Sequence, residues 1–358
     1  MRHWLGEDKA ALEAFVKQAG QPAYRAKQLW DWLHKRRVAS WEGMGNVPQT
    51  LRRTLADAGL LRALSEMDRR EAADGLTAKW LFAAQPDQAQ IECVLIIEKR
   101  LSRRTVCVSS MSGCPLACAF CATGGQGFVR NLSAGEIVEQ VYHVDSFSRA
   151  LGGDMGVSHV VFMGMGEPLL NLSEVLAAAG TFADPAGMGL SGRHITISTA
   201  GVPDGIRRLA EAGVNYRLAL SLHAPNQRLR ERLMPAAKRW PFEELFPALD
   251  EFAAVSSRDV TFEYCLIDGV NSSRSDAKEL VSLLSHRRCK VNLIPMNPVP
   301  GVAFKPPSAD GIRRFQETLE RAGVPATVRM EKGAEIGAAC GQLRAENKTN
   351  HRGNDPEL

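Results

Sequence analysis

Three cysteines, Cys114, Cys118 and Cys121, fall within eight residues. Three thiolates on one short loop can hold three irons of a [4Fe–4S] cube, because such clusters are carried by cysteine sulfur. The fourth iron then stays open to a substrate or cosubstrate. Structural zinc is the rival occupant, but it takes four ligands, often as two Cys pairs. The chain has no second Cys-x-x-Cys, and neither Cys107 nor His143 sits at a finger spacing. The remaining cysteines, Cys93, Cys107, Cys265, Cys289 and Cys340, are scattered. Clustered cysteines in a cytosolic chain indicate metal or redox chemistry rather than a disulfide framework.

These residues need elements to position them. Residues 10–38 carry two stretches of helical periodicity separated by Gly20, Gln21 and Pro22, and a third short helix is expected after Pro48. Segments 77–84 and 90–97 have strand composition. From residue 103 strands and helices alternate. Strands are expected at 104–110, 159–163, 194–198, 216–222, 260–266, 290–294 and 326–330. Helices are expected at 133–151, 173–182, 203–212, around 229–233, at 275–284 and at 310–321. Ser133 and Glu136 have the spacing of a capping box where the first of these helices should begin. Six strand–helix units plus a closing strand predict an α/β fold, a partial (β/α)6 barrel smaller than the full eight-fold form. The expected division is a helical domain at 1–64, a connecting β segment at 65–102, a core barrel at 103–343 and a polar tail at 344–358.

Further motifs fall at the C-terminal ends of the expected strands, where barrel active sites assemble. They are Gly164-Met165-Gly166-Glu167-Pro168-Leu169, Ser198-Thr199-Ala200-Gly201, Ser221-Leu222-His223-Ala224-Pro225-Asn226 and Ile294-Pro295-Met296-Asn297-Pro298. Gly164, Gly166 and Gly201 would permit close backbone approach to a ligand. The Cys-x-x-x-Cys-x-x-Cys spacing after the first barrel strand resembles the radical S-adenosylmethionine (SAM) superfamily. With Cys107-Val108-Ser109-Ser110 before the triplet, Ala122-Thr123-Gly124 after it and Ala339-Cys340-Gly341-Gln342-Leu343 near the end, the series resembles the RlmN/Cfr family of RNA adenine methyltransferases.

That resemblance implies a radical SAM barrel and a set of roles. Cys114, Cys118 and Cys121 would bind a [4Fe–4S] cluster. Gly166, Glu167, Ser198, Ser221, Leu222, His223 and Asn297 would contact SAM, two molecules of which are used per turnover. Cys340 would take a methyl group from the first SAM. A radical made from the second would activate that methyl for attachment to an adenine carbon. Glu92 would accept the ring proton, and Cys107 would release the product by attacking the Cys340 sulfur, leaving a transient disulfide. Cys93, Cys265 and Cys289 read as ordinary buried thiols. The implied substrates are 23S rRNA and tRNA methylated at adenine C2, with C8 methylation as the alternative, and a non-RNA substrate as a second. An external electron donor is implied, and the chain reads as a monomer. Two features depart from the family pattern: Met111 stands where a Gln is common, and Glu331 and Glu335 reduce positive charge near Cys340.

Hydrophobic residues make up 45% of the 358-residue chain and charged residues 23%, which excludes a mainly disordered, collagen-like or repeat protein. No apolar run is long enough to span a bilayer, and the N-terminus lacks a signal-like apolar stretch, so a cytosolic protein without membrane partners is expected. The net charge of +4 is unevenly spread. Residues 1–55 hold ten basic and five acidic side chains, a surplus of five, while the rest of the chain is −1. On this reading the N-terminal helices supply an RNA-holding surface. Deleting residues 1–55 should then weaken RNA binding and flatten its salt dependence while sparing the cluster site.

Overall fold

The structure is a computed structural model and describes residues 2–151, 155–256, 258–329 and 332–343. The expected polar tail at 344–358 and Glu331 lie outside the described residues.

Ten strands form one sheet whose spatial order is the order of the chain. They are β1 (Leu64–Glu71), β2 (Thr77–Ala84), β3 (Ala89–Glu98), β4 (Arg103–Cys107), β5 (His159–Phe162), β6 (Ile195–Thr199), β7 (Arg217–Ser221), β8 (Val260–Leu266), β9 (Cys289–Pro295) and β10 (Ala326–Val328). From β4 to β10 every pairing is parallel. Parallel neighbours need crossovers, which the chain makes with helices. Helices Ala134–Ala150, Leu172–Ala183, Pro203–Glu211, Arg274–Leu284 and Ala309–Arg321 supply five of them, and the pair Gln227–Leu233 and Phe242–Val255 supplies the sixth. Both faces of such strands are covered, and all seven residues of β8 are buried.

The segment 65–102 is not a connector. Strands β1 to β3 pair antiparallel with one another and onto β4, extending the same sheet. Paired residues share a face, so Thr77, Lys79 and Leu81 of β2 lie beside Glu92, Val94 and Ile96 of β3, with Cys107 opposite Val94. The other face carries Trp80 and Phe82, which pack edge-on against Phe147 and His143 of the Ala134–Ala150 helix. Among the described residues no pairing joins β1 to β10.

The Ala134–Ala150 helix starts at the expected capping box, with Ser133 and Glu136 each bonding the other's backbone amide. It is buried along most of its length because the sheet covers one side, while the Trp4–Gly6 turn, His34, Arg37 and the Leu172–Ala183 helix pack on the rest. His34 bonds the Tyr142 hydroxyl at 2.9 Å, Arg37 pairs with buried Asp145, and Glu139 accepts the Ala63 amide at 2.7 Å. Lys9 reaches Asp184 at 2.5 Å.

Trp4, Leu12, Leu29 and Trp30 belong to the same apolar core as Tyr142 and the barrel strands. Deleting residues 1–55 would therefore open that core rather than leave an intact barrel, which overturns the expectation of a clean truncation. Replacing the fully buried Trp4 by Ala should cost about 3–5 kcal/mol. Calorimetry should show one transition at a lower midpoint. A separate early transition for the N-terminal helices would contradict the shared core.

Candidate active site

The cysteine triplet lies on a loop between two short extended segments, Met111–Gly113 and Phe128–Asn131, which pair antiparallel. The Cys114 amide bonds the Gly127 carbonyl at 2.9 Å, and the Cys121 amide bonds the Cys118 carbonyl at 3.1 Å. Ala117 sits between them in the left-handed region (φ 50°), so the loop is a built turn rather than a slack connection. All three cysteines line one cavity. Burial pushes Cys114 up to about 12 and Cys118 well above the usual thiol range, with mutual thiolate repulsion adding to it. Free thiolates are thus disfavoured here, whereas metal coordination would deprotonate them outright. Among the described residues no three Cys, His, Asp or Glu side chains converge on a single metal ion. A cube does not require that, since its three sulfurs ligate separate irons. The donor set therefore fits an iron–sulfur cube.

The same cavity is lined by Gly166, Glu167, Ser198, Ser221, His223 and Asn297, at the ends of β5, β6, β7 and β9. Glu167 is almost fully buried and accepts the amides of Leu169 (3.0 Å) and Ala200 (2.7 Å), so it ties the β5 end to the β6 end. Burial raises its pKa. His223 has a left-handed backbone (φ 56°), accepts the Cys265 amide on Nδ1 at 2.9 Å and stands edge-on to Phe120 of the cysteine loop. Burial, then Arg230, lowers its pKa to about 3, so it stays neutral and serves positioning. Leu222 does not line the cavity: its side chain is fully buried in the core and its amide bonds the Glu263 carbonyl. The glycines answer to the fold's own backbone more than to a ligand. A Cβ on Gly164 would meet the Val108 carbonyl oxygen at 2.6 Å, and one on Gly166 (φ 101°) would meet the Met111 side chain at 2.6 Å. Met111 also receives the Glu167 amide on its sulfur at 3.4 Å.

Residues 332–343 run as a strap across the mouth of this cavity and down over the inner face of β2 to β4. The Ala122 amide bonds the Gly341 carbonyl at 2.8 Å, and Thr123 donates to the Leu343 carbonyl at 2.6 Å. Asn297 donates to the Cys340 carbonyl at 2.9 Å, and Gln342 to the Pro298 carbonyl at 2.8 Å. Asn297 therefore holds the strap as well as facing the cavity. Further back, Ala338 and Leu343 pack with Val94 and Met165, with Cys107, Leu81 and Ile336 against them. Cys340 opens onto the cavity and is solvent-accessible, yet its dense surroundings raise its pKa and Arg329 lowers it. Cys107 feels both groups: burial and then the Cys340 charge push it up to about 12, against Arg329. Glu335 is exposed on the strap.

Glu92 lies on the same inner face, but it is not a lone acid in an apolar strand. Lys79, diagonal to it on β2, pairs with its carboxylate at 2.8 Å, and both side chains are buried. The Lys79 ammonium lies under the strap, 3.3 Å from where a Cβ on Gly337 would stand. Ser109 connects these parts: its hydroxyl donates to the Glu92 carbonyl (2.6 Å) and accepts the Met165 amide (2.9 Å). Gln140 bonds Ser109 through both its amide groups.

Sequence reasoning missed Lys79, Ser109, Gln140, Glu263 and Arg329. Glu263 and Arg329 both line the cavity, 3.9 Å apart. Alternation along β8 gave no signal for Glu263, since every neighbour is buried. Cys265, expected as an ordinary buried thiol, borders the cavity too, whereas Cys93 lies opposite Trp80 on the far side of the sheet and Cys289 at the start of β9.

Comparison with known proteins agrees with this arrangement. Residues 108–283 match the Radical SAM superfamily, and residues 4–60 match the Ribosomal RNA large subunit methyltransferase N-terminal domain. The chain is 42% identical over 346 residues to a probable dual-specificity RNA methyltransferase RlmN 2 of Protochlamydia amoebophila, covering 97% of this chain and 95% of that one. It is 46% identical over 336 residues to the dual-specificity RNA methyltransferase RlmN of Syntrophobacter fumaroxidans, covering 94% and 96%. The crystal structure of a radical SAM methyltransferase from Sphaerobacter thermophilus superposes with a TM-score of 0.92 at 42% identity, over 97% of this chain and all of that one. With the cysteine triplet, the strand-end motifs and the strap cysteine all in place, the chain belongs to the RlmN family of radical SAM RNA methyltransferases.

Proposed function

We propose that this protein methylates C2 of an adenosine in 23S rRNA and in tRNA by way of a methyl group held on Cys340. One observation carries the reading: the strap places Cys340 in the cavity of the cysteine triplet and its neighbours against Cys107 and β3. The names of the relatives support the RNA substrate and the dual specificity. The six strand–helix units serve as a partial barrel whose C-terminal rim holds SAM.

Adenine C2 is electron-poor and lacks a lone pair, so it cannot attack a SAM methyl directly. Cys340 takes the methyl first by displacement, as a thiolate. Arg329 favours that thiolate against the cost of burial. Cys114, Cys118 and Cys121 would hold the iron–sulfur group, which would supply the electron for reductive cleavage of a second SAM, giving the radical that activates the methyl for addition to C2, and would take one electron back as the ring loses its proton. Gly166, Glu167, Ser198, Ser221 and Asn297 orient SAM within reach of Cys340, His223 positions the cysteine loop, and Leu222 contributes backbone only. Glu92 takes the ring proton, with Lys79 holding its carboxylate ready. Cys107 then attacks the Cys340 sulfur. A sulfur–sulfur bond forms, the Cys340 sulfur–carbon bond breaks, and its electron pair leaves with the carbon, which takes a proton to become the product methyl. Two electrons from an external donor return both cysteines to thiols. In the resting protein burial and the neighbouring Cys340 charge keep Cys107 a thiol.

Several of the ten N-terminal basic residues are spent inside the protein. Arg2, Lys9, Arg36 and Arg37 pair with acids, and Arg25 and Arg52 bond backbone carbonyls. Lys17, Lys27, Lys35 and Arg53 are exposed and have no acidic partner among the described residues. These four are the proposed phosphate-binding groups. Replacing them by Gln should lower the salt slope of RNA binding by about 0.7–0.9 for each phosphate no longer neutralised. An unchanged slope would return them to a solvated face.

Nucleoside mass spectrometry of treated RNA should give 2-methyladenosine, and Cys340→Ala should abolish it. Detection of 8-methyladenosine, or full activity in Cys340→Ala, would overturn the reading. Arg329→Met removes the cation that lowers the Cys340 pKa. Methyl transfer to Cys340 should therefore slow at neutral pH, and its pH profile should move to higher pH. An unmoved profile would contradict the role given to Arg329.

A further inference from the structure

Arg230 of the Gln227–Leu233 helix is the largest buried cation near the site, with no solvent exposure. Its Nη2 donates to the carbonyls of Ala200 and Ser221, the latter at 3.5 Å. Its Nε and Nη1 have no hydrogen-bond partner among the described residues, and no carboxylate there lies within ion-pairing distance. A buried guanidinium without an anion costs several kcal/mol. Such a residue survives in a fold when a negative group comes to sit beside it. The Leu233 carbonyl of the same helix takes the Ala119 amide of the cysteine loop at 2.9 Å, and the anionic candidates that interact electrostatically with Arg230 are Cys118 of the triplet and Glu167. The Phe242 ring, 5.7 Å away, flanks the guanidinium, and Gly201 leaves room for Nη2, 3.1 Å from where its Cβ would be. The position is thus shaped by packing on several sides and short of an anion.

We propose that Arg230 is the fixed countercharge of the iron–sulfur site, placed to favour its reduced, more negative state. The proposal rests on the cluster-binding reading of Cys114, Cys118 and Cys121. Three thiolates make the site anionic, and uptake of one electron adds a further negative charge. The potentials of such groups depend on the local net charge, hydrogen bonds to sulfur and exposure. A cation enclosed in protein is little screened by salt, so its effect persists at physiological ionic strength. Arg230 is a positioning and tuning residue rather than a catalytic one, since it does not line the cavity.

The test uses full-length wild type, Arg230→Gln and Arg230→Lys, each reconstituted anaerobically with iron and sulfide. Arg230→Gln removes the charge but keeps an amide donor, and Arg230→Lys keeps the charge. Iron and sulfide are measured first, then the midpoint potential by redox titration followed by electron paramagnetic resonance. The expected result is a more negative potential, or loss of iron, in Arg230→Gln, with Arg230→Lys close to wild type. Equal potential and equal iron in all three proteins would overturn the proposal. So would an Arg230→Gln chain that fails to fold without iron when the iron-free wild type folds, because Arg230 would then be scaffold alone. Absence of iron and sulfide from reconstituted wild type would instead defeat the underlying cluster reading, and the two failures are thereby distinct.

Discussion

The site depends on how the strap at residues 332–343 is fastened. Four hydrogen bonds fix it, two to the cysteine loop at Ala122 and Thr123 and two to the β9 end at Asn297 and Pro298. A small apolar patch fixes its other side, where Ala338 and Leu343 meet Val94 and Met165. Each hydrogen bond is worth only about 1 kcal/mol. Together they hold a residue near the end of the chain beside groups from β3, β4 and the cysteine loop. The role proposed for Cys340 depends on its being held there. A thiol on a free C-terminus would meet SAM and Cys107 at random.

The second constraint is electrostatic. The cavity gathers the three cysteines of the triplet, Cys265, Glu167 and Glu263 into poorly solvated space, with the accessible Cys340 opening onto it. Cations stand behind them, Arg230 beneath the triplet side and Arg329 beside Cys340 and Glu263. Lys79 does the same for Glu92. Burial raises Cys340, Cys107, Glu167 and Glu263 alike, and a nearby cation offsets part of that rise for each. Positive charge therefore favours the anionic form of each group, and for Glu167 the hydrogen bonds to its carboxylate act the same way.

Much of this was legible in the sequence. Strand β8 and helix starts such as Ser133 were readable because strand composition and capping are local signals. Strand β1 was not, since Leu64–Glu71 is an almost wholly exposed edge with charged side chains, a pattern shared with loops. The Phe242–Val255 helix was hidden by Pro247 inside it. In the site, Cys114, Cys118, Cys121 and the strand-end motifs were carried by spacing. Lys79, Glu263, Arg329 and Arg230 were not, because a basic or acidic residue shows its role only through what tertiary packing puts opposite it. The inward burial of the Leu222 side chain was not legible for the same reason: a side chain's direction at a strand end depends on the bend that follows.

The central claim is that Cys340 carries the methyl group. The most direct measurement is to incubate the protein with methyl-labelled SAM in the absence of RNA, then digest it and locate the label by peptide mass spectrometry. The account predicts a single added methyl on the peptide containing Cys340. Label on Cys107 or Cys265, or on no cysteine at all, would contradict it.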